Sequence, residues 1–173
     1  AAGMSTVKLG IWGLGRIGTF HAKTFTAEPG RFDLVAACDL EPPKVDRLRT
    51  AHGCAGYTRA EDLLADPAVE LVLIATRSLT HAADAQRALA AGKAVLLEKP
   101  IAMSHAEIEQ LRQADRAHPG RLFFLHNHRF EPAMQQIFGI VRSGILGDLV
   151  QVNLRRHHAF GRRGDWQAIL RYG

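Results

Sequence analysis

Val7-Lys8-Leu9-Gly10-Ile11-Trp12-Gly13-Leu14-Gly15-Arg16-Ile17-Gly18 is the stretch that decides the fold. A mostly apolar run passes directly into three glycines spaced G-x-G-x-x-G, and a helical pattern with one apolar face follows from Thr19 to Ala27. That order, strand then tight turn then helix, gives each glycine a mechanical task. Gly13 permits the turn, Gly15 lets the backbone approach a pyrophosphate, and Gly18 lets helix and strand pack closely. The helix N-terminus offers free N–H groups and the positive end of its dipole to the same anion. Arg16 and Ile17, inside the turn, join the three glycines as cofactor-binding candidates.

Working outward, further apolar runs rich in β-branched or aromatic residues occur at Leu34 to Cys38, Val69 to Ala75, Ala94 to Leu97 and Leu122 to Leu125. They are short and nearly free of polar residues, as strands covered on both faces should be. Between them, Lys44 to His52, His81 to Ala91 and His105 to His118 read as amphipathic helices. Alternating strands and helices predict an α/β fold of the Rossmann type, a doubly wound parallel sheet, over residues 4–126. Boundary residues agree: Thr76 or Thr80 can open the helix that follows Val69 to Ala75, Gly92 can end it, and Ser104 with Glu107 has capping-box spacing. Beyond residue 126 the pattern changes. Phe130 to Ser143 reads as a helix, Gly144 and Gly147 bracket a turn, and Leu149 to Leu154 alternates like a half-exposed strand. An isolated strand exposes unpaired backbone, so residues 127–173 are expected to be the beginning of a truncated α+β second domain.

Two positions add chemistry to this frame. Asp39 ends the second apolar run, 21 residues past Gly18, where a carboxylate can accept hydrogen bonds from an adenosine ribose. The same charge repels a 2′-phosphate, so NAD is the expected cofactor; Lys44 nearby keeps NADP possible. Glu98-Lys99-Pro100 follows the run Ala94 to Leu97. Ligands of open parallel sheets bind beyond the carboxyl ends of the strands, so Lys99 falls where a nicotinamide and a substrate would meet. An ammonium there can hydrogen-bond a hydroxyl or carbonyl oxygen.

Composition limits the other classes. With 173 residues and 47% hydrophobic side chains, the chain is globular in composition. Five of its 22 Lys and Arg but one of its 17 Asp and Glu lie in residues 151–173, so the net charge of +5 is concentrated in the tail. The tail stripe of Arg155, Arg156, Arg162, Arg163 and Arg171 has no nucleic-acid motif with it, and no nucleic-acid partner is expected. No run is long enough to span a membrane, and Ala1-Ala2-Gly3 reads as an addition before an initiator Met4 rather than a leader. Cys38 and Cys54 lack disulfide or zinc spacing, which favours the cytoplasm. His126 and His128, expected on one strand face, and His157-His158 have no cysteine or carboxylate at ligand spacing, so no metal is expected.

Taken together, Gly13 to Gly18, Asp39, Thr76 to His81, Ala91-Gly92-Lys93 to Glu98-Lys99-Pro100, Asn127 to Pro132, and Ser143-Gly144 to Gly147-Asp148 resemble the glucose-fructose oxidoreductase, inositol dehydrogenase and rhizopine-catabolism (Gfo/Idh/MocA) family of NAD(P)-dependent oxidoreductases. The resemblance implies a dehydrogenase that moves a hydride between the nicotinamide and a hydroxyl or carbonyl carbon of a sugar, polyol or inositol. It implies that Lys99 is catalytic or orients substrate, that Glu98 lies by the nicotinamide ribose, and that Thr76, Ser78 and His81 line the dinucleotide groove. Asn127 is a further cofactor-binding candidate, and a homo-oligomer, dimer or tetramer, is expected of the full-length protein. Two departures stand out. Thr76-Arg77-Ser78 replaces the family's Thr-Pro-Asn, and the Asp and His that complete its proton relay, four residues apart on a helix, have no counterpart here. A non-catalytic NAD-binding sensor of the same fold is the alternative.

Overall fold

Leu9, Ile11, Val72, Leu73, Ile74, Val95 and Leu97 are shielded from solvent on both sides of the strands that carry them, which only helices packed on both faces can achieve. The computed structural model describes residues 5–28 and 30–155. Readings that fall on Ala1 to Met4, on His157 and His158, and on Arg156, Arg162, Arg163 and Arg171 lie outside the described residues. The chain divides into two compact units, Ala1–Leu125 and His126–Gly173.

In the first unit the strands are β1 (Val7–Trp12), β2 (Phe32–Cys38), β3 (Ala55–Tyr57), β4 (Leu71–Ile74), β5 (Ala94–Glu98) and β6 (Leu122–Leu125). The helices are α1 (Arg16–Thr26), α2 (Pro42–His52), α3 (Ala60–Ala65), α4 (His81–Ala90) and α5 (His105–Ala117). All neighbouring strands run parallel, in the order β3-β2-β1-β4-β5-β6. This is the doubly wound Rossmann order, whose direction reverses between β1 and β4. Alternation along each strand divides the core. Leu9, Ile11, Leu34 and Leu73 pack with Ala22, Val45 and Leu48 of α1 and α2. Trp12, Val72, Ile74, Val95 and Leu97 pack with Ala82, Ala85, Leu89 and Leu111 of α4 and α5.

Several element ends depart from expectation for local reasons. α1 starts at Arg16 rather than Thr19, because the glycine turn closes early and Thr19 N–H already bonds the Gly15 carbonyl at 2.9 Å. β3 and α3 escape a periodicity reading, being only 3 and 6 residues long. Thr80 precedes α4 after a short 3-10 turn, Ser78–Thr80, yet makes no side-chain cap. Gly92 ends the helix in the left-handed region at φ 77. At α5, Glu107 N–H donates to Ser104 Oγ at 3.2 Å, while the Glu107 carboxylate accepts from Met103 N–H at 2.6 Å. The expected box forms, reaching back one residue further than the usual reciprocal bond.

The second unit contains a 3-10 turn, Asn127–Phe130, and α6 (Pro132–Arg142). Two expectations fail here. Leu149 to Leu154 is not a strand: the segment has no ladder among the described residues, and Val150, Val152 and Leu154 are exposed. Alternation supplies a pleat, but a strand also needs a partner backbone. His126 and His128 do not share a strand face, because β6 ends at Leu125 and the chain turns at Asn127. His128 instead pairs with the Glu131 carboxylate.

Candidate functional site

Register brings the chemistry to one edge of the sheet. Trp12 stands opposite Cys38 on one side and Ile74 on the other, Ile74 opposite Leu97, and Glu98 opposite Leu125. The residues that leave the carboxyl ends, Gly13, Asp39, Ala75 and Lys99, therefore emerge along a single border. The winding order reverses between β1 and β4 at its middle, the place where open α/β sheets bind ligands.

The glycine loop lies at that switch point, held from both sides. Gly13 N–H donates to the Cys38 carbonyl at 2.8 Å, and Ala75 N–H donates to the Trp12 carbonyl at 2.8 Å. Gly13 has φ +97, and a Cβ there would stand 2.5 Å from the Ala75 carbonyl oxygen. Position 13 thus needs glycine both for its backbone and for the approach of the β4 tail. A Cβ on Gly18 would collide with the Gly13 carbonyl. Gly15 differs: a Cβ there would meet nothing within 4 Å. Its vacant side faces outward, where a phosphate can draw close to the backbone. The N–H groups of Arg16, Ile17 and Gly18 precede the first helical donor, Thr19 N–H, and are the orphan donors of a helix start. A pyrophosphate fits this arrangement.

Asp39 is already partly engaged. Its Oδ2 accepts from Leu14 N–H at 2.7 Å and its Oδ1 from Glu41 N–H at 3.0 Å. The Lys44 ammonium lies 4.0 Å from Asp39 Oδ1 and bonds the Glu41 carboxylate. One cation thus stands between two anions, and the cluster keeps a net negative charge. Burial, followed by the Asp39 charge, pushes the Cys38 thiol up to about 12. A thiol held so high stays protonated and is a poor nucleophile.

At the end of β5, Glu98 is 6% exposed. His21 of α1, 5% exposed, places Nε2 2.8 Å from Glu98 Oε1. Glu98 Oε2 accepts from Lys99 N–H at 2.8 Å. Burial raises the Glu98 pKa, but the hydrogen bonds from His21 and Lys99 N–H outweigh it and hold the carboxyl below the usual carboxylate range. An ionised Glu98 only accepts, so His21 Nε2 carries the proton. The Lys99–Pro100 peptide is cis. His81, buried at the start of α4, reaches the Pro100 carbonyl with Nδ1 at 2.7 Å and the Thr76 carbonyl with Nε2 at 3.2 Å. Lys99 itself is exposed.

A family model described as an oxidoreductase family with an NAD-binding Rossmann fold, GFO_IDH_MocA, matches residues 7–126. The chain belongs to the Gfo/Idh/MocA oxidoreductase family. Inositol 2-dehydrogenase of Acidothermus cellulolyticus is 33% identical over 145 residues, which cover 82% of this chain and 42% of that protein. The rhizopine catabolism protein MocA of Rhizobium meliloti is 31% identical over 151 residues, 87% of this chain and 47% of that one. Among solved structures, scyllo-inositol dehydrogenase from Lactobacillus casei with bound NAD(H) and scyllo-inositol is similar at a TM-score of 0.77 and 29% identity, over 83% of this chain and 43% of that one. The chain therefore spans under half the length of these relatives.

Within this Gfo/Idh/MocA chain, Gly13, Gly15, Arg16, Ile17, Gly18, Asp39, Thr76, Glu98 and Lys99 lie on or just beyond the carboxyl edge, with Ser78 in the turn behind Thr76 and His81 at the start of α4. The Thr76 hydroxyl is committed to Asp84, to which it donates at 2.8 Å. Both Glu98 oxygens are in use within the protein, so a ribose hydroxyl would share one of them. Asn127 opens the short turn of the second unit and is exposed. His21 escaped the sequence reading. Its signal was a polar residue on the apolar face of α1, between Gly18 and Ala22 on one side and Phe25 on the other. Lys93, within the Ala91 to Pro100 run, proves structural: it is 8% exposed, and its ammonium donates to the Asp66 and Val69 carbonyls at 2.7 and 2.9 Å.

Proposed function

We propose that the full-length protein carrying this chain is an NAD-dependent dehydrogenase acting on a CH–OH group of an inositol, sugar or polyol, with Lys99 beside the reacting oxygen. The observation that carries this reading is the anchored turn of Lys99 on the same sheet edge as the glycine loop. Relatives named as inositol 2-dehydrogenases support the substrate class. The non-catalytic alternative gains no support from them.

When bound, a nicotinamide dinucleotide supplies the acceptor or donor of a hydride. The chain supplies position and charge. Gly15 and the N–H groups of Arg16 to Gly18 hold the pyrophosphate, and Asp39 takes the adenosine ribose with the lone pairs left by Leu14 and Glu41. NAD is favoured over NADP because a 2′-phosphate would face Asp39 and Glu41, with Lys44 already paired to them. Lys99, with no salt bridge to a described residue, directs an ammonium at the substrate oxygen. As the carbinol is oxidised, its carbon would give hydride to the bound nicotinamide and its hydroxyl would release a proton to water, while the Lys99 ammonium would stabilise the negative charge that develops on oxygen.

The full-length protein is further read as a cytoplasmic homo-oligomer. Two buried free thiols suit a reducing compartment, and Ile137, Ile140 and Val141 of α6 remain partly exposed. Among the described residues no helix is long and apolar enough to cross a membrane.

Lys99→Ala in the full-length protein tests the reading. Turnover of inositol or another polyol is expected to fall by about 10² or more, the size of a positioned proton-transfer or charge-stabilising group. Affinity for NAD, held at the other end of the groove, is expected to stay within about threefold. Turnover within about threefold of the parent would overturn the role of Lys99.

A further inference from the structure

We propose that His21 is a positioning residue for Lys99, acting through Glu98 to fix the lysine-bearing turn relative to the phosphate-binding end of α1. The inference rests on the reading of Lys99 as the catalytic lysine.

Consider what holds the turn. Lys99 is a long, exposed side chain on a loop, and its aim depends on its backbone. That backbone is clamped before and after. On the near side, Glu98 Oε2 accepts from Lys99 N–H at 2.8 Å, fixing the first peptide of the turn. On the far side, the Pro100 carbonyl is held by His81 at 2.7 Å. The near clamp depends on the Glu98 carboxylate keeping one orientation, and His21 sets that orientation by donating to Oε1 at 2.8 Å. Without His21 the carboxylate would lose its only side-chain donor among the described residues.

His21 is also placed to relate two sites. It lies three residues past Gly18, on the helix whose first N–H groups face the pyrophosphate. One rigid helix thus carries both the phosphate-binding end and the anchor of the lysine turn, and the spacing between cofactor and Lys99 becomes a property of α1. A misplacement of about 1 Å at a reacting centre can cost on the order of 10²-fold in rate. An ordinary core position would not require this pair, since apolar residues of similar volume fill a buried site at no greater cost than a histidine and a carboxylate. Phe20 and Phe25 pack around the His21 ring, with ring centroids 5.7 and 6.1 Å away. They hold it in place and add no hydrogen-bonding group of their own.

The test uses the full-length protein with four measurements: kcat and KM for a polyol, NADH affinity by fluorescence titration, and amide hydrogen exchange at Lys99 without cofactor. His21→Leu keeps the bulk and removes the donor, and His21→Gln restores an N–H near the Nε2 position. For His21→Leu, kcat is expected to fall by about 10-fold or more, with KM and NADH affinity within about threefold. Exchange at Lys99 N–H is expected to accelerate by about 10-fold or more as its acceptor loosens. His21→Gln is expected to recover both. The proposal is overturned if His21→Leu keeps kcat within about threefold while Lys99→Ala loses 10². It is also overturned if His21→Gln rescues neither kcat nor protection in a folded protein. Should His21→Leu fail to fold, the unsubstituted protein decides: Lys99 N–H exchanging as fast as an open loop amide refutes the clamp. Retained turnover in Lys99→Ala marks the different failure, that of the parent reading.

Discussion

Glu98 shows how a single buried residue can serve an exposed one. A carboxylate removed from water is costly unless its lone pairs are filled, and here His21 and Lys99 N–H fill them. The consequence is measurable in pH. Because the pKa of Glu98 is lowered from 4.5 on folding, ionised Glu98 stabilises the native state above that value, and the contribution is lost as pH falls through the lowered one. Urea denaturation of the parent and Glu98→Gln is expected to show a stability gap near pH 6 that narrows as pH falls below 4.5 and through the lowered value. A gap unchanged over that window would mean that the carboxylate is not held in its charged form. At this scale the sequence was informative only in part. Gly13, Gly15 and Gly18 could be assigned tasks from spacing alone, since a missing Cβ is a local fact. His21 and Glu98 are separated by 77 residues, and nothing local to either announces the other.

Among the elements, the strands β1, β2, β4 and β5 were legible because burial on both faces leaves apolar runs, and β6 was legible from its apolar run although Phe123 and Phe124 at this sheet edge are exposed. β3 and α3 were not, being too short, at 3 and 6 residues, to repeat the period that would reveal them. The strand expected at Leu149 to Leu154 illustrates the converse error, since alternation marks a possible pleat and says nothing about a partner. Lys93 was read within a family motif, and only the structure separates its role from that of Lys99. Its ammonium closes the connection from α3 to β4 by bonding two carbonyls. Lys93→Met is therefore expected to lower stability by about 1–3 kcal/mol, the cost of stranding buried acceptors. Urea denaturation measures it, and NADH affinity is expected to remain within about threefold because the carbonyls lie at the amino end of β4, opposite the groove. A stability loss under about 0.5 kcal/mol would show that water replaces the ammonium there.

For the molecule as a whole, strand order decides where function can sit. With all strands parallel and the winding order reversing between the adjacent β1 and β4, the glycine loop, Asp39 and Lys99 have to share one edge, however far apart they are in sequence. The distribution of charge along that edge then selects the cofactor. Lys44, which alone would welcome a 2′-phosphate, is drawn to Glu41 and Asp39. Titration of the chain with NADH and with NADPH tests this account most directly, because it depends on the glycine loop and the Asp39 cluster together. NADH is expected to bind at least about 10-fold tighter, the scale of one uncompensated close charge. NADPH binding as tight as NADH, or no saturable binding of either, would contradict it.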